Sequence, residues 1–159
     1  MHDSSQVTSL FSQMRSDDHT VALTSKRKLW HIVRFAGRPG ASQERAEIVA
    51  QLITLLGGDS GSTIRRELVW MLSEIGGDES VDPIAALLDD LALREDARMA
   101  LQRIPGDQSL AALREGLAAA PVDFQANLVQ SLRGRGVTVP GYPCKKMVPT
   151  KRTMVKPIG

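Results

Sequence analysis

Basic side chains recur at one place in this chain, at the start of segments whose apolar residues have helical spacing. These basic groups are Lys26-Arg27-Lys28, Arg65-Arg66 and Arg94. Cations at a helix N-terminus oppose the helix dipole, so something must offset them. We favour an inter-repeat ladder, in which each Arg pairs with a carboxylate of a neighbouring repeat. The alternative is a stripe of guanidinium groups presented to an acidic partner or to phosphate. The carboxylates available for a ladder include Asp59, Asp89, Asp90 and Asp96.

Other residue types that could do chemistry form no recognisable constellation. Spacing alone proposes no Ser-His-Asp or paired-carboxylate arrangement, and the glycine pairs lack the Lys-Ser/Thr of a phosphate loop. Asp17-Asp18-His19 contains hard metal ligands, but adjacent loop residues rarely converge on one ion, which predicts a solvated connector. Cys144 has no histidine partner placed by a motif and is interpreted as a bystander. We therefore predict no catalytic residue, no metal and no cofactor, and a protein that is not an enzyme.

The elements that position the basic residues repeat along the chain. The segment RRELVWMLSEIGGDESVDPIAALL begins at Arg65 and matches REDARMALQRIPGDQSLAALREGL, which begins at Arg94. The segment SKRKLWHIVRFAG matches RRELVWMLSEIG when Leu29 is placed on Leu68, with Gly57 to Ser62 as a longer inter-helix loop. Self-similarity of this kind indicates stacked supersecondary units that bury their apolar stripes against one another. The sequence predicts about four helix pairs.

Apolar residues at helical spacing predict which side chains are buried, and two aspartates, Asp78 and Asp107, are predicted helix caps. The predicted stripes are Val7, Leu10, Phe11 and Met14; Leu29, Ile32, Val33 and Ala36; Ala46, Val49, Ile53 and Leu56; Val81, Ile84, Leu87, Leu88 and Leu91; Ala97, Ala100, Leu101 and Ile104; Leu110, Leu113 and Leu117; and Phe124, Leu128 and Leu132.

The repeat unit, with its tight Gly-Asp turn and an Arg at the start of the second helix, resembles HEAT-like repeats. More narrowly, it is similar to the short bacterial repeats named after phycobilisome lyases. The residues from Ile64 to Leu88 and from Leu93 to Leu117 carry the resemblance, which covers roughly residues 24 to 134. It implies an all-α, right-handed α-α superhelix (an armadillo-like solenoid), and most such proteins are binding scaffolds.

The resemblance implies a concave face that takes up a protein segment, acidic or extended. The partner-binding candidates on that face are Trp30, Arg65, Arg66, Trp70, Arg94 and Arg98. Nucleic-acid binding is the second interpretation, and a lyase-type, chromophore-handling protein is the third. Deoxyhypusine hydroxylases need paired His-Glu motifs, and none of the three histidines here precedes Glu. Trp30 and Trp70 invite comparison with HEAT-like DNA glycosylases, but both lie beside the predicted core stripe.

Charge divides the chain into an acidic body and a basic tail. Residues 1–134 hold 14 basic and 18 acidic residues, a net charge of −4, whereas residues 135–159 hold six basic residues and no acid. Four of the eight prolines lie in this tail, which predicts an extended segment. It is interpreted as a disordered leash, as a strap or a swapped segment that produces homo-oligomers, or as a nucleic-acid arm. The candidate tail contacts are Tyr142, Lys145, Lys146, Lys151 and Arg152.

Composition predicts a soluble protein of the cytoplasm. Its single cysteine is compatible with a reducing compartment. No run approaches the roughly 20 consecutive apolar residues that span a bilayer, so no membrane partner is expected. The first residues show no basic start followed by an apolar block, and no signal peptide is predicted.

Overall fold

The computed structural model describes residues 4–142, and this part of the chain is all-α, with no β-strand. Two short 3₁₀ turns, Asp78–Ser80 and Ala86–Asp89, flank the fifth helix. Of the tail contacts named above, only Tyr142 lies within the described residues. The eight α-helices are α1 Ser4–Gln13, α2 His19–Ala36, α3 Ser42–Leu56, α4 Ser62–Ile75, α5 Val81–Ala85, α6 Arg94–Arg103, α7 Asp107–Ala119 and α8 Val122–Gly134.

The helices pack as four consecutive pairs, the number that the repeats predict. Within each pair the first helix contacts the second: α1 with α2, α3 with α4, α5 with α6, and α7 with α8. The second helices also form a continuous layer, in which α2 packs on α4, α4 on α6, and α6 on α8. Residues at the start of one second helix therefore lie beside those at the start of the next. No helix among residues 4–142 is long and apolar enough to cross a membrane.

The core confirms most of the predicted stripes. Every predicted residue in α1, α2, α6 and α8, and Ile104 just after α6, is buried. Two predicted core residues are wrong: Ala46 is exposed, and Leu91 is 81% exposed. In α3, Ile48 and Leu52 join Val49 and Leu56 as the buried face, turning Ala46 outward. Leu91 lies beyond the end of the second 3₁₀ turn and before α6, so no helix carries its side chain to the core.

Helix capping differs from the prediction at both Gly-Asp turns. Gly77 and Gly106 occupy the N-cap positions, and neither Asp78 nor Asp107 caps through its side chain. Gly106 has a φ of 100°, a conformation that glycine adopts far more readily than other residues. The predicted connector instead supplies a cap, because Asp18 Oδ1 accepts hydrogen bonds from the backbone N–H groups of Thr20 (2.8 Å) and Val21 (3.2 Å).

After α8 the chain turns back along that helix. Arg135 donates from its guanidinium to the carbonyl oxygens of Ile104 (2.8 Å) and Gly106 (2.9 Å) at the turn between α6 and α7. Val137 and Val139 then pack, half-buried, against the core. Tyr142 Oη donates to Gln125 Oε1 (3.0 Å) near the start of α8. Residues 135–142 thus run from the C-terminal end of α8 back towards its N-terminal end.

Candidate functional site

A cation and a tryptophan from α2 share one carboxylate of α4. Lys26 Nζ lies 3.1 Å from Glu67 Oε1, and Trp30 Nε1 donates to Glu67 Oε2 at 3.0 Å. Lys26 and Trp30 are one helical turn apart, so both side chains leave the same face of α2. The two oxygens of Glu67 each have their own donor, which joins α2 to α4 at a half-buried position.

The same arrangement joins α4 to α6. Arg66 Nε donates to Asp96 Oδ2 (2.8 Å) and Trp70 Nε1 donates to Asp96 Oδ1 (2.9 Å). Arg66 also donates to the carbonyl oxygen of Ala92 (2.9 Å). The hydrogen bond and the negative charge of Asp96 raise the pKa of the Arg66 guanidinium. We name this repeated arrangement, Lys26 and Trp30 on Glu67 and Arg66 and Trp70 on Asp96, the tryptophan ladder.

The other predicted arginines also have partners within the fold. Arg65 pairs with Asp90 (3.3 Å), and Arg94 pairs with Asp123 (2.7 Å). The hydrogen bond from Arg94 is the largest of the effects that lower the pKa of the Asp123 carboxyl. The predicted pairing of basic residues with Asp90 and Asp96 is confirmed, while Asp59 and Asp89 form no ion pair within the described residues.

Arg98 is buried, with 8% of its surface exposed, and joins α6 to α8. Its guanidinium donates to Glu95 on its own helix and to the Ser131 hydroxyl on α8. Glu95 also accepts a hydrogen bond from the side chain of Asn127 (3.0 Å). These donors, with Arg98 first, lower the pKa of the Glu95 carboxyl despite its partial burial.

Each of the six predicted binding residues therefore uses at least one polar atom in a contact with a neighbouring helix or loop of the same fold. Both tryptophans are half-buried, and each has a guanidinium over its ring: Arg34 at 5.0 Å from the centroid of Trp30, and Arg103 at 5.8 Å from that of Trp70. Partner binding by the paired arginines stays a prediction. Within residues 4–142, no cluster of three or more His, Cys, Asp or Glu side chains could hold a metal ion.

A second set of basic side chains lies on the outer side of α2. Arg27, Lys28 and Trp30 were named from the sequence, whereas His31 and Arg34 were not. Arg27, Lys28 and His31 are exposed, and no ion pair in the described part of the chain involves them. A groove of about 390 Å³ is lined by Arg27, Trp30, His31 and Arg34. A neighbouring groove of about 340 Å³ shares Arg27 and His31 and adds Lys28. We name these five residues (Arg27, Lys28, Trp30, His31 and Arg34) the α2 basic surface.

The sequence of α2 and of the residues that follow it is one-sided in charge. Residues 19–43 contain five Lys or Arg and no acid, whereas residues 44–134 contain eight basic and 15 acidic residues, a net charge of −7. The absence of acids throughout residues 19–43 is the sequence signal that could have located the surface. No family model and no curated protein matches this chain, so no relative supplies a ligand for the α2 basic surface.

Proposed function

We propose that the protein is a non-catalytic interaction module that binds an acidic segment of a partner protein on the α2 basic surface. The observation that carries this proposal is the groove between Arg27, Trp30, His31 and Arg34, in which Arg27 and His31 have no carboxylate partner in the described structure. We further propose that the four helix pairs form a right-handed, HEAT-like solenoid. Its stacked layer of second helices would hold α2 in place as a rigid support.

The spacing of the basic residues of α2 suits an extended peptide. Arg27 and His31 lie four residues apart, and His31 and Arg34 three, which is about 6 Å and about 4.5 Å along the helix axis. An extended chain presents side chains of one face about every 6.5 Å. Two alternate carboxylates of a bound segment would therefore meet Arg27 and His31, whose spacing is close to that of the peptide. The exposed part of the Trp30 ring supplies an apolar contact within the same groove.

A short acidic segment fits this surface better than a nucleic-acid duplex. Beyond α2 the body carries a net charge of −7, and the exposed Glu74 lies beside Arg34 at 3.3 Å. A long polyanion that extended past α2 would meet these carboxylates, and repulsion between like charges would weaken its binding. A segment of a few residues would contact the basic side chains alone.

The test is a fluorescence-anisotropy titration of the full-length protein with a labelled peptide that alternates Glu with apolar residues. We expect binding at about 0.05 M salt and its loss at about 0.5 M, because exposed charges are screened. Arg27→Glu combined with Lys28→Glu should weaken binding about tenfold or more, since each exposed ion pair contributes up to about 1 kcal/mol.

Arg15→Glu combined with Arg114→Glu is the matched control, because it changes the net charge equally and both are exposed arginines with no ion pair in the described structure. Melting temperatures of both variants should stay close to that of the wild type. Equal weakening by the control pair Arg15→Glu and Arg114→Glu would show that net charge alone drives binding and would refute the site. Tighter binding of a DNA or RNA duplex than of the peptide, at equal salt, would replace the proposal with nucleic-acid binding.

A further inference from the structure

An apolar groove of about 210 Å³ lies between the first turns of α2 and α4. Ala22 and Leu23 line it from α2, and Ile64 lines it from α4. The buried side chain of Met14, which directly follows α1, also contributes. We name this site the α2–α4 groove and define its apolar part by these four residues. None of the four belongs to the α2 basic surface, so the groove is a separate feature of the same helix.

Comparison with the next repeat shows that the corresponding position can be covered. Ile64 and Leu93 occupy the same place in the repeat, three residues before the acceptor of the tryptophan ladder. Leu93 is fully buried, whereas Ile64 is only half-buried. The side chain near the start of α4 therefore keeps apolar surface that its counterpart just before α6 does not.

The volume of the groove suits a single side chain. A cavity of about 150 Å³ lined by aliphatic and aromatic side chains binds benzene. Sites for drug-sized molecules and cofactors are larger, at about 300–1,000 Å³. The α2–α4 groove, at about 210 Å³, is between these sizes. It therefore accepts one group of the size of a leucine or phenylalanine side chain.

The polar lining of the groove is compatible with an acidic partner. The carboxylate that lines it, Glu67, pairs with Lys26 on one oxygen and accepts from Trp30 on the other. The other titratable side chains in the lining are those of Lys26 and His19. A segment with negative charge therefore meets no unpaired carboxylate among the described residues that line the groove.

The α2–α4 groove adjoins the α2 basic surface. Trp30 lines the groove of that surface and donates to Glu67, which lines the apolar groove. Leu23, Arg27 and His31 lie on one i, i+4 row of α2, at steps of about 6 Å along the helix axis. Side chains on one face of an extended chain repeat about every 6.5 Å. An apolar side chain in the groove thus places side chains two and four positions away beside Arg27 and His31.

We propose that the α2–α4 groove takes one apolar side chain of the acidic segment that binds the α2 basic surface. The recognised pattern is an apolar residue with acidic residues two and four positions away, all on one face of an extended chain. This inference rests on the proposed function and adds the chemistry of the partner segment to it. Charge alone would accept any acidic segment, whereas the groove selects those with a correctly placed apolar residue.

The test is a fluorescence-anisotropy titration of the full-length protein with three labelled peptides of equal length. The first contains Leu-Ser-Glu-Ser-Glu, the second contains the reverse order, and the third has Ser in place of Leu. We expect one of the two leucine peptides to bind about tenfold more tightly than the serine peptide, because it buries an apolar side chain. This ratio should persist when salt is raised from about 0.05 M to about 0.15 M, although all three peptides bind more weakly, since salt screens charges.

A variant that fills the groove tests its position. Ala22→Leu should abolish the preference for leucine and leave the binding of the serine peptide unchanged. Ala111→Leu, at an exposed position of α7, is the matched control and should keep the preference. Melting temperatures of both variants show whether they are folded. The comparison of peptides on the wild type needs no variant and therefore decides the question even if Ala22→Leu does not fold.

The outcomes separate this inference from the proposed function. Binding of all three peptides with equal affinity would overturn the role of the groove and leave the proposed function standing. Binding of none of them would overturn both. A preference for leucine that survives in Ala22→Leu would place the apolar side chain elsewhere and overturn the inference. A wild-type dimer that Ala22→Leu dissociates would also overturn it, because a second copy of the chain would then occupy the groove.

Discussion

The contact between Trp70 and Asp96 gives the sharpest test of the tryptophan ladder. Asp96 is 15% exposed and accepts from Arg66 at 2.8 Å and from Trp70 Nε1 at 2.9 Å, one donor on each carboxylate oxygen. Asp96→Ala removes both acceptors and leaves the half-buried indole N–H without a partner. A hydrogen bond to a charged group contributes about 1.5–3 kcal/mol. The ion pair with Arg66 adds little beyond this, because the Arg66 side chain is 42% exposed and its charge is screened by solvent.

We therefore expect Asp96→Ala to lower the free energy of unfolding by about 2–3 kcal/mol. Trp70→Phe keeps an aromatic ring but deletes the donor, and should cost about 1–2 kcal/mol. The double variant should cost less than the sum of the two single variants, with a coupling energy of about 1–2 kcal/mol, because both changes remove one shared bond. Urea unfolding of all four proteins, followed by circular dichroism, measures the cycle.

The control is Asp59→Ala, at an exposed aspartate without an ion pair in the described part of the chain, which should stay within about 0.5 kcal/mol of the wild type. Additive losses in the cycle, with a coupling energy near zero, would refute the bond between Trp70 and Asp96. Such a result would also return Arg66 and Trp70 to the set of side chains free to contact a partner.

Three further changes probe the rest of the fold. Gly76→Ala would place a Cβ 2.5 Å from the Leu72 carbonyl oxygen, so we expect a loss of about 1–3 kcal/mol in urea unfolding; an unchanged midpoint would contradict this close approach. Arg135→Ala should cost about 1–2 kcal/mol and speed amide exchange at the α6–α7 turn, and slow exchange there would contradict its role. The pKa of Glu95 lies below its ordinary value of 4.5, chiefly because Arg98 donates to it. Its stabilising effect is therefore present above pH 4.5 and is lost as pH falls through the lower, folded-state pKa. The stability gap between wild type and Glu95→Gln should shrink on acidification, and a constant gap would count against that bond.

Helix positions and most of the core could be predicted from the sequence because they depend on local periodicity. The end of α2 at Ala36 and the loop between Leu56 and Ser62 follow from the glycines that come directly after each helix. The errors fall where periodicity carries little information. Leu91 continues the apolar pattern of its segment, but the helix ends before it. The Gly-Asp turns use glycine at the N-cap because their backbone geometry, and not a side-chain oxygen, meets the needs of the turn.

The tryptophan donors of the ladder could not be predicted, although the pairing of arginines with Asp90 and Asp96 was, because these donors do not follow the register of the core. The buried stripes of α2 and α4 match when Leu29 is placed on Leu68, and this register puts Trp30 opposite Val69. The ladder donors are displaced from it by one position, because Lys26 and Trp30 correspond to Arg66 and Trp70. Alignment by apolar residues therefore hides the correspondence. Only the acceptors, Glu67 and Asp96, keep the register of the later repeats, in which Arg65 falls on Arg94.

The direction of the ladder accounts for the position of the unpaired charge. Cations of α2 pair with carboxylates of α4, cations of α4 pair with carboxylates at or just before α6, and Arg94 of α6 pairs with Asp123 of α8. The second helix of a pair thus needs a carboxylate only if the second helix of an earlier pair offers it a cation. Among the described helices none precedes α2, and α2 carries no acid. Arg27 and Lys28, on the outer side of α2, form no ion pair with a neighbouring helix in the described structure. At the opposite end of the helix layer, Arg133 donates to the carbonyl oxygen of Tyr142 and Arg135 donates to that of Ile104 at the α6–α7 turn. This polarity accounts for the absence of acids on α2, and that absence leaves the charge of Arg27 and Lys28 unopposed on its own helix, where a partner with negative charge can pair with it.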